Sequence, residues 1–396
     1  MPDIKLRNQP FDLVFHPRES VVYASLLTGE VKAWRYDDVT GETSKGWSVR
    51  PTKRTARALA VEADGTGLWM GGKSGVLCRM DASTGTVLRE QDVAHAAPIN
   101  RVSCINEQLV VSGDDEGVIK FWDPRTAGDP VRTYTQHWDY ISDFTYYEDK
   151  RQLITTSGDG HLSVIDVRSS KAEPMSVSAD QEDELLSIAQ IKGGDKCVVG
   201  TGLGVLSIWN RKLGWEDSVD RFIGHPASVD AVVALTEDAV ATGSEDGMVR
   251  VINITPNQFL GVIATHEEYP IERLALDRSG KWLGSVSHDL CIKLTDVEDM
   301  FESDNEDGDE DEEMDADSDA EGVDAEDAEG EGEGEGEDAE MEDAGAPAPA
   351  VDWGSDSDDG AAKSRKKKDK GPKIKSAKAA MAAAQAEEEA GFFDDL

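Results

Sequence analysis

The sequence has little cysteine, no long apolar run and a shortage of positive charge. Its four cysteines, Cys78, Cys104, Cys197 and Cys291, lie far apart without CxxC spacing, which argues against a disulfide framework or a metal knuckle. Each sits in or beside an apolar strand-like run, so the expectation is small buried residues in a reducing compartment. No stretch of about 18 apolar residues occurs, and none of the chain reads as membrane-spanning. The opening MPDIKLRNQPFDLVFHP carries charges inside its only apolar stretch, unlike a signal peptide, so the chain reads as intracellular. Catalytic motifs are missing as well: there is no GxSxG, HExxH or P-loop. VVGTGLGV begins like a dinucleotide fingerprint, but Val205 takes the third glycine position and a strand follows where a helix is needed. In the acidic stretch, Gly308 matches an EF-hand turn, yet Ser303 and Met314 occupy its first and last ligand positions. The expectation is a binding protein, with no enzyme activity, cofactor or metal.

The charge that is present is unevenly divided. The whole chain has 81 Asp+Glu and 40 Lys+Arg over 396 residues, a formal charge of −41. From Glu298 onward there are 37 acids and 9 bases, or −28, which leaves 44 and 31, or −13, for residues 1–297. Residues 1–297 have hydrophobic runs throughout and enough length for a large core. The remainder is nearly all Asp, Glu, Ala and Gly as far as Asp359, too little apolar surface to offset ordering entropy, and reads as disordered. The expected layout is a folded domain over 1–297, an acidic segment over 298–360, and a Lys-rich segment over 361–396 that ends in a short helix.

Across residues 1–297 a single pattern recurs. Aligned on a common position, LLTGEVKAWRY (Trp34), GGKSGVLCRMD (Met80), GDDEGVIKFWD (Trp122), TSGDGHLSVID (Ile165), GTGLGVLSIWN (Trp209), GSEDGMVRVIN (Ile252) and VSHDLCIKLTD (Thr295) are separated by 46, 42, 43, 44, 43 and 43 residues. Each copy reads strand, Gly-rich or polar turn, strand, polar stop, with the alternation of β-structure. One such unit cannot bury both its faces, but seven stacked in a ring can. No fourth strand remains after Thr295-Asp296, so DIKLR, Asp3–Arg7, is expected to supply the outer strand of the seventh unit and close the ring.

These copies resemble the WD-repeat family of β-propellers, whose signature is a Gly-His pair, a strand pair and a final Trp-Asp. At its place in the repeat each literal pair survives once, at Gly224-His225 and Trp122-Asp123, but the histidine position is held by His95, His137, His225 and His266. The acidic turn position is held by Glu116, Asp159, Asp246 and Asp289, and the resemblance implies a hydrogen bond between such a His and acid inside each blade. The fold expected is therefore all-β, a seven-bladed WD-repeat propeller with a disordered tail, monomeric as a ring.

Propellers bind through their rims. QHWDYISD places Trp138, Asp139 and Tyr140 in a loop leading to an innermost strand, and THEEYPIE places Glu267, Glu268 and Tyr269 at a matching point. Exposed aromatics beside acids suit a basic peptide or protein loop. PTKRTAR offers Lys53, Arg54 and Arg57 as a basic patch on another side. In the tail, residues 298–359 contain 31 acids and no Lys or Arg, and KSRKKKDKGPKIK then packs eight bases into thirteen residues. That cluster, with Lys363, Arg365, Lys366, Lys367, Lys368 and Lys370, reads as a nuclear-import signal. The terminal GFFDDL carries Phe392, Phe393 and Leu396 as a candidate docking peptide.

The layout as a whole, from FHPRESVVYASLLTGEVKAW to GFFDDL, resembles the WD repeat protein 55 family and its fungal counterparts. The resemblance implies a nucleolar protein of ribosome biogenesis and ribosomal RNA processing, with pre-ribosomal or ribosomal proteins as basic partners and RNA contacted indirectly. Two alternatives stand beside it. Histones are equally basic, so a histone-binding chaperone would want the same acidic tail. WDPR, Trp122–Arg125, matches the WDxR pattern of cullin-type ubiquitin-ligase substrate receptors, making Arg125 an adaptor-binding candidate, with IDVR ending at Arg168 a weaker echo.

Overall fold

The computed structural model describes residues 3–300, apart from Ala127. Twenty-eight strands form seven four-stranded antiparallel sheets. Six sheets run in sequence order from an inner to an outer strand, and their inner strands are Pro10–Phe15, Ala56–Val61, Ile99–Asn106, Ile141–Tyr147, Leu185–Ile191 and Val229–Ala234. The seventh takes Ile271–Leu276, Trp282–Ser287 and Cys291–Asp296 from the end of the repeat array and Asp3–Lys5 from the start of the chain. Asp3 pairs with Lys293, Ile4 with Ile292 and Lys5 with Cys291, so the ring closes as the sequence requires. Each inner strand packs against the next, and Ile271–Leu276 returns to Pro10–Phe15.

The core is divided among the seven blade interfaces. Blades one and two, for example, enclose Tyr23, Val31, Leu59, Leu68 and Met70, while blades seven and one enclose Ile4, Leu13, Trp34, Ile292 and Leu294. This geometry overrides the alternation expected from sequence. The second strand of a blade has a neighbouring blade on each face, so VVYASL, GLWMGG, AVATGS and WLGSVS are buried at every position. Their small residues follow from the close approach: a Cβ on Gly113 would come 2.5 Å from the Ile141 side chain of the next blade.

Turns between second and third strands share one solution. Gly29, Gly75, Gly117, Gly160, Gly204 and Gly247 all have φ between +69° and +81°, and blade seven uses Leu290 at +63°. That left-handed conformation suits glycine, and at Gly117 a Cβ would also meet the His137 carbonyl at 2.5 Å. The Lys-rich cluster, Phe392, Phe393, Leu396 and the rest of the tail lie outside the described residues.

Candidate protein-binding surface

Every inner strand breaks register at the same place. The breaks fall between Pro10/Asp12, Ala56/Ala58, Ile99/Arg101, Ile141/Asp143, Leu185/Ser187, Val229/Ala231 and Ile271/Arg273. A bulge re-aims the side chain beside it. Here four of the re-aimed residues meet across the centre of the ring. Arg101 Nε donates to Asp143 Oδ1 at 2.7 Å and its NH1 to Asp12 Oδ2 at 3.2 Å, while Arg273 NH1 donates to Asp143 Oδ2 at 3.1 Å and its Nε lies 3.6 Å from Asp12 Oδ1. The two carboxylates also accept backbone N–H bonds from Leu13, Leu59 and Phe144 at 2.7–2.8 Å. This neutral quartet ties blades one, three, four and seven together and fills the axis. The bulged residues themselves, among them Arg57, Asn100, Asp230 and Glu272, ring the mouth above it.

The intrablade histidine bonds follow the expected pattern in two blades and depart from it in two. His137 Nδ1 lies 2.9 Å from Asp159 Oδ2 and His266 Nδ1 2.7 Å from Asp289 Oδ2, as the repeat implies. His95 instead meets Asp114 Oδ2 at 2.8 Å, two residues before the expected Glu116, because Asp114 is buried at the strand end. Asp246 is taken by Arg250, whose NH1 and NH2 donate at 3.0 and 2.6 Å, leaving His225 Nδ1 buried without a side-chain acid partner among the described residues. Burial, helped by the Arg250 charge, drives the His225 pKa down to about 4. All four are structural groups.

The predicted aromatic loop divides into two roles. Trp138 is 70% exposed, its ring edge-on to His161 at 4.8 Å. Tyr140 instead packs over Gly158, donates its hydroxyl to Glu184 Oε2 at 2.9 Å, and has its pKa pushed up by burial and that carboxylate. Asp139 accepts the Tyr140 N–H at 2.8 Å and so shapes the loop. Sequence reasoning missed Leu203, 74% exposed on the adjacent blade's turn, whose N–H donates to Asp183 Oδ2 at 3.0 Å. Tyr269, 47% exposed, stands three blades on from Trp138, its carbonyl accepting from Ser287 Oγ at 3.0 Å.

Acids accumulate on this rim over blades four to seven. Asp139, Glu182, Asp183, Glu184, Glu245, Glu267 and Glu268 lie in its loops and turns. At the mouth, burial raises the Asp230 pKa to about 6, and nearby Glu272 and Glu245 add to the rise against a 2.9 Å bond from Ser228 Oγ. The Glu272 carboxylate in turn raises the pKa of its neighbour His288. Lys53 and Arg54 are on the same rim, in the loop leading into Ala56–Val61, not on another side; Arg57 lies within that strand and is bound by Asp115 at 3.1 Å.

Arg125 and Arg168 lie on the opposite rim in matching form. Each donates Nε to the aspartate two residues earlier at 2.9 Å and NH2 at 2.7 Å, and each side chain is 60% exposed. Asp123 and Asp166 are held at a pKa of about 2, first by these arginine bonds. The four cysteines are free, Cys78 and Cys197 being fully buried. Among the described residues no group of three or more His, Cys, Asp or Glu is placed to hold a metal ion, and no helix is long and apolar enough to cross a membrane.

Comparison with known proteins agrees with this architecture. The WD40 β-propeller domain of Doa1 superposes with a TM-score of 0.65 over 75% of this chain and 96% of that one; at 15% identity the likeness is one of fold. WD repeat-containing protein JIP5 of Cryptococcus neoformans var. neoformans serotype D is 63% identical over 332 residues, covering 77% of this chain and 88% of the relative. WD repeat-containing protein 55 of Arabidopsis thaliana is 36% identical (76% and 84% covered) and that of Mus musculus 35% (75% and 76%). The family model WDR55 matches residues 1–300. A seven-bladed ring with these relatives places the chain in the WDR55 family of WD-repeat proteins.

Proposed function

We propose that the chain is a non-enzymatic nuclear and nucleolar scaffold in ribosome biogenesis and ribosomal RNA processing, which holds a basic segment of a pre-ribosomal or ribosomal protein on its acidic rim. The carrying observation is Trp138, 70% exposed on a loop that also holds Asp139 and is tied through Tyr140 to Glu184, with exposed Leu203, Glu182 and Asp183 on the same rim of the next blade. A rigid aromatic anchor within carboxylates suits an extended Lys- or Arg-rich segment: the apolar contacts hold the partner's aliphatic stems and the acids its charged ends. The nucleolar setting is supported by family membership and by the Lys-rich cluster at 363–375, and RNA is reached through the bound protein. Affinity purification of the full chain, with and without ribonuclease, tests this against Trp138→Ala/Leu203→Ser. Pre-ribosomal proteins lost from the variant, together with precursor accumulation on replacing wild type by it, support the reading. Unchanged partners, or histones alone, sink it.

The matched Arg125 and Arg168 favour a second reading, docking of a ubiquitin-ligase adaptor on the opposite rim. Both guanidiniums are already oriented by their aspartates, so an incoming carboxylate meets them at little ordering cost. Arg125→Ala/Arg168→Ala should then release a ligase adaptor while the basic partners stay. Equal recovery from wild type and variant removes this reading.

A further inference from the structure

A groove of about 460 Å³ runs along the seam where the ring closes, between Asp3–Lys5 of blade seven and Thr43–Val49, the outer strand of blade one. Its lining includes Lys5, Arg7, Lys32 and Lys45, with Glu30 the only carboxylate among the described residues that line it. Glu30 is engaged by Lys32 at 3.3 Å, and among the described residues Lys5, Arg7 and Lys45 form no ion pair although all three are exposed. Three uncompensated cations in one groove run against the trend of a domain whose formal charge is 31 − 44 = −13. Both strands that flank the groove are outer strands, so each presents a free backbone edge.

The occupant follows from where the chain goes next. It descends the strand paired with Asp3–Lys5 to Asp296, five residues beyond Cys291, the partner of Lys5, a rise of roughly 17 Å, and is held on blade seven for a little longer, Val297 donating its N–H to the Lys281 carbonyl at 2.9 Å and Glu298 Oε2 accepting from Lys281 Nζ at 2.6 Å. Soon after comes SDNEDGDED, residues 303–311, with six acids and no Lys or Arg. Nine extended residues reach about 30 Å, enough to follow the groove, and so short a tether gives an effective concentration on the order of millimolar. A nucleic acid strand fits less well, because no aromatic face is offered for stacking: Trp47 donates its Nε1 to the Ala82 carbonyl at 3.0 Å, and Gly85 lies against its ring.

We propose that the seam groove is the docking site of the chain's own acidic segment 303–311, added beside Asp3–Lys5 as a further extended strand. Docking neutralises the groove and covers the seam edge, and a basic partner that takes the acidic segment must first release it. The inference is independent of the rim reading, since it uses neither Trp138 nor the blade-four loop.

The test is zero-length carbodiimide cross-linking of the full chain, read by mass spectrometry. Lys5 and Lys45 should join to Asp304–Asp311 about tenfold more often than exposed Lys150 and Lys171, which belong to blade four, and the preference should vanish in about 0.5 M salt. In Lys5→Glu/Lys45→Glu the remaining cross-links at Lys32 should fall in step, with the melting midpoint as the control for folding. A second chain with the six acids changed to Asn or Gln should show amide exchange at residues 3–7 about tenfold faster than wild type. Equal labelling of all exposed lysines, or unchanged exchange, overturns the proposal. So do cross-links that join isotopically light to heavy chains, which would mean a second copy, and an RNA oligonucleotide captured at Lys5 and Lys45, which would mean a nucleic acid groove.

Discussion

Replacing Asp143 by Asn should be among the most damaging single changes available that leave shape untouched. Asp143 is 1% exposed, and its oxygens accept from Arg101 at 2.7 Å and Arg273 at 3.1 Å in a quartet of two acids and two arginines. The substitution keeps volume and the capacity to accept the Phe144 N–H, but strands one positive charge on the axis. Breaking a buried ion pair from one side costs about 3–5 kcal/mol. Unfolding entropy near 2.1 cal/mol/K per residue over roughly 295 residues is about 0.6 kcal/mol/K, so the melting midpoint should fall by roughly 5–8 °C. Adding Arg273→Gln restores neutrality, and in a double-mutant cycle the pair should cost less than the sum of the singles by about 1–3 kcal/mol. Calorimetry of the four proteins measures both quantities. A midpoint drop under about 2 °C for Asp143→Asn, or strict additivity, would refute the claim that the quartet acts as one unit.

Three further outcomes are expected. Between pH 6.5 and about 4 the unfolded chain takes up a proton at His225 that the folded chain refuses, so stability should fall with pH across that window by at most about 3 kcal/mol; chemical denaturation should show a shallower slope for His225→Gln. Asp230 is the reverse case: its folded pKa is raised from 3.8 to about 6, so its contribution is favourable below 3.8 and lost as pH rises through 6. Asp230→Asn should therefore raise the melting midpoint at pH 8 and leave it unchanged near pH 3, and a loss at pH 8 would contradict the burial argument. Deleting residues 1–7 removes the three backbone pairings of Asp3–Lys5 and the buried Ile4 side chain, and the thermal midpoint should drop by several degrees.

The ring and its blade count were legible because each blade must end its third strand at a fixed distance from the last, and that spacing survives loss of the Trp-Asp letters. Closure was legible too, since Thr295-Asp296 leaves blade seven one strand short. The axial quartet was not read from the sequence, although its signal exists: PFDL, INRV, ISDF and IERL each put a charge at the third place of the motif, just before an apolar residue of the inner strand. Opposite signs at one repeat position point to ion pairs only once the copies are known to converge on an axis. The His225 orphan depends on Arg250 outcompeting it for Asp246, a choice between two partners that spacing cannot rank. On the rim, sequence placed Trp138 and Tyr140 alike. Only the packing of Tyr140 over Gly158 separates anchor from support.

Closing the ring with the first strand has a consequence for how the protein is made. Lys5 leaves the ribosome 286 residues ahead of its partner Cys291. At about 5–20 residues per second, that is a wait of roughly 15–60 s. Blades one to six can form hairpin by hairpin as they emerge, but throughout this interval the growing assembly is an open arc with two unpaired flanks and the interface between blades seven and one exposed. The lysine and arginine of the first strand and its flank, Lys5 and Arg7, then act as gatekeepers that discourage a neighbouring nascent chain from supplying the missing edge. A ring sealed by its own beginning thus commits only when the last repeat is complete, and a message truncated before Asp296 yields an arc that never shuts.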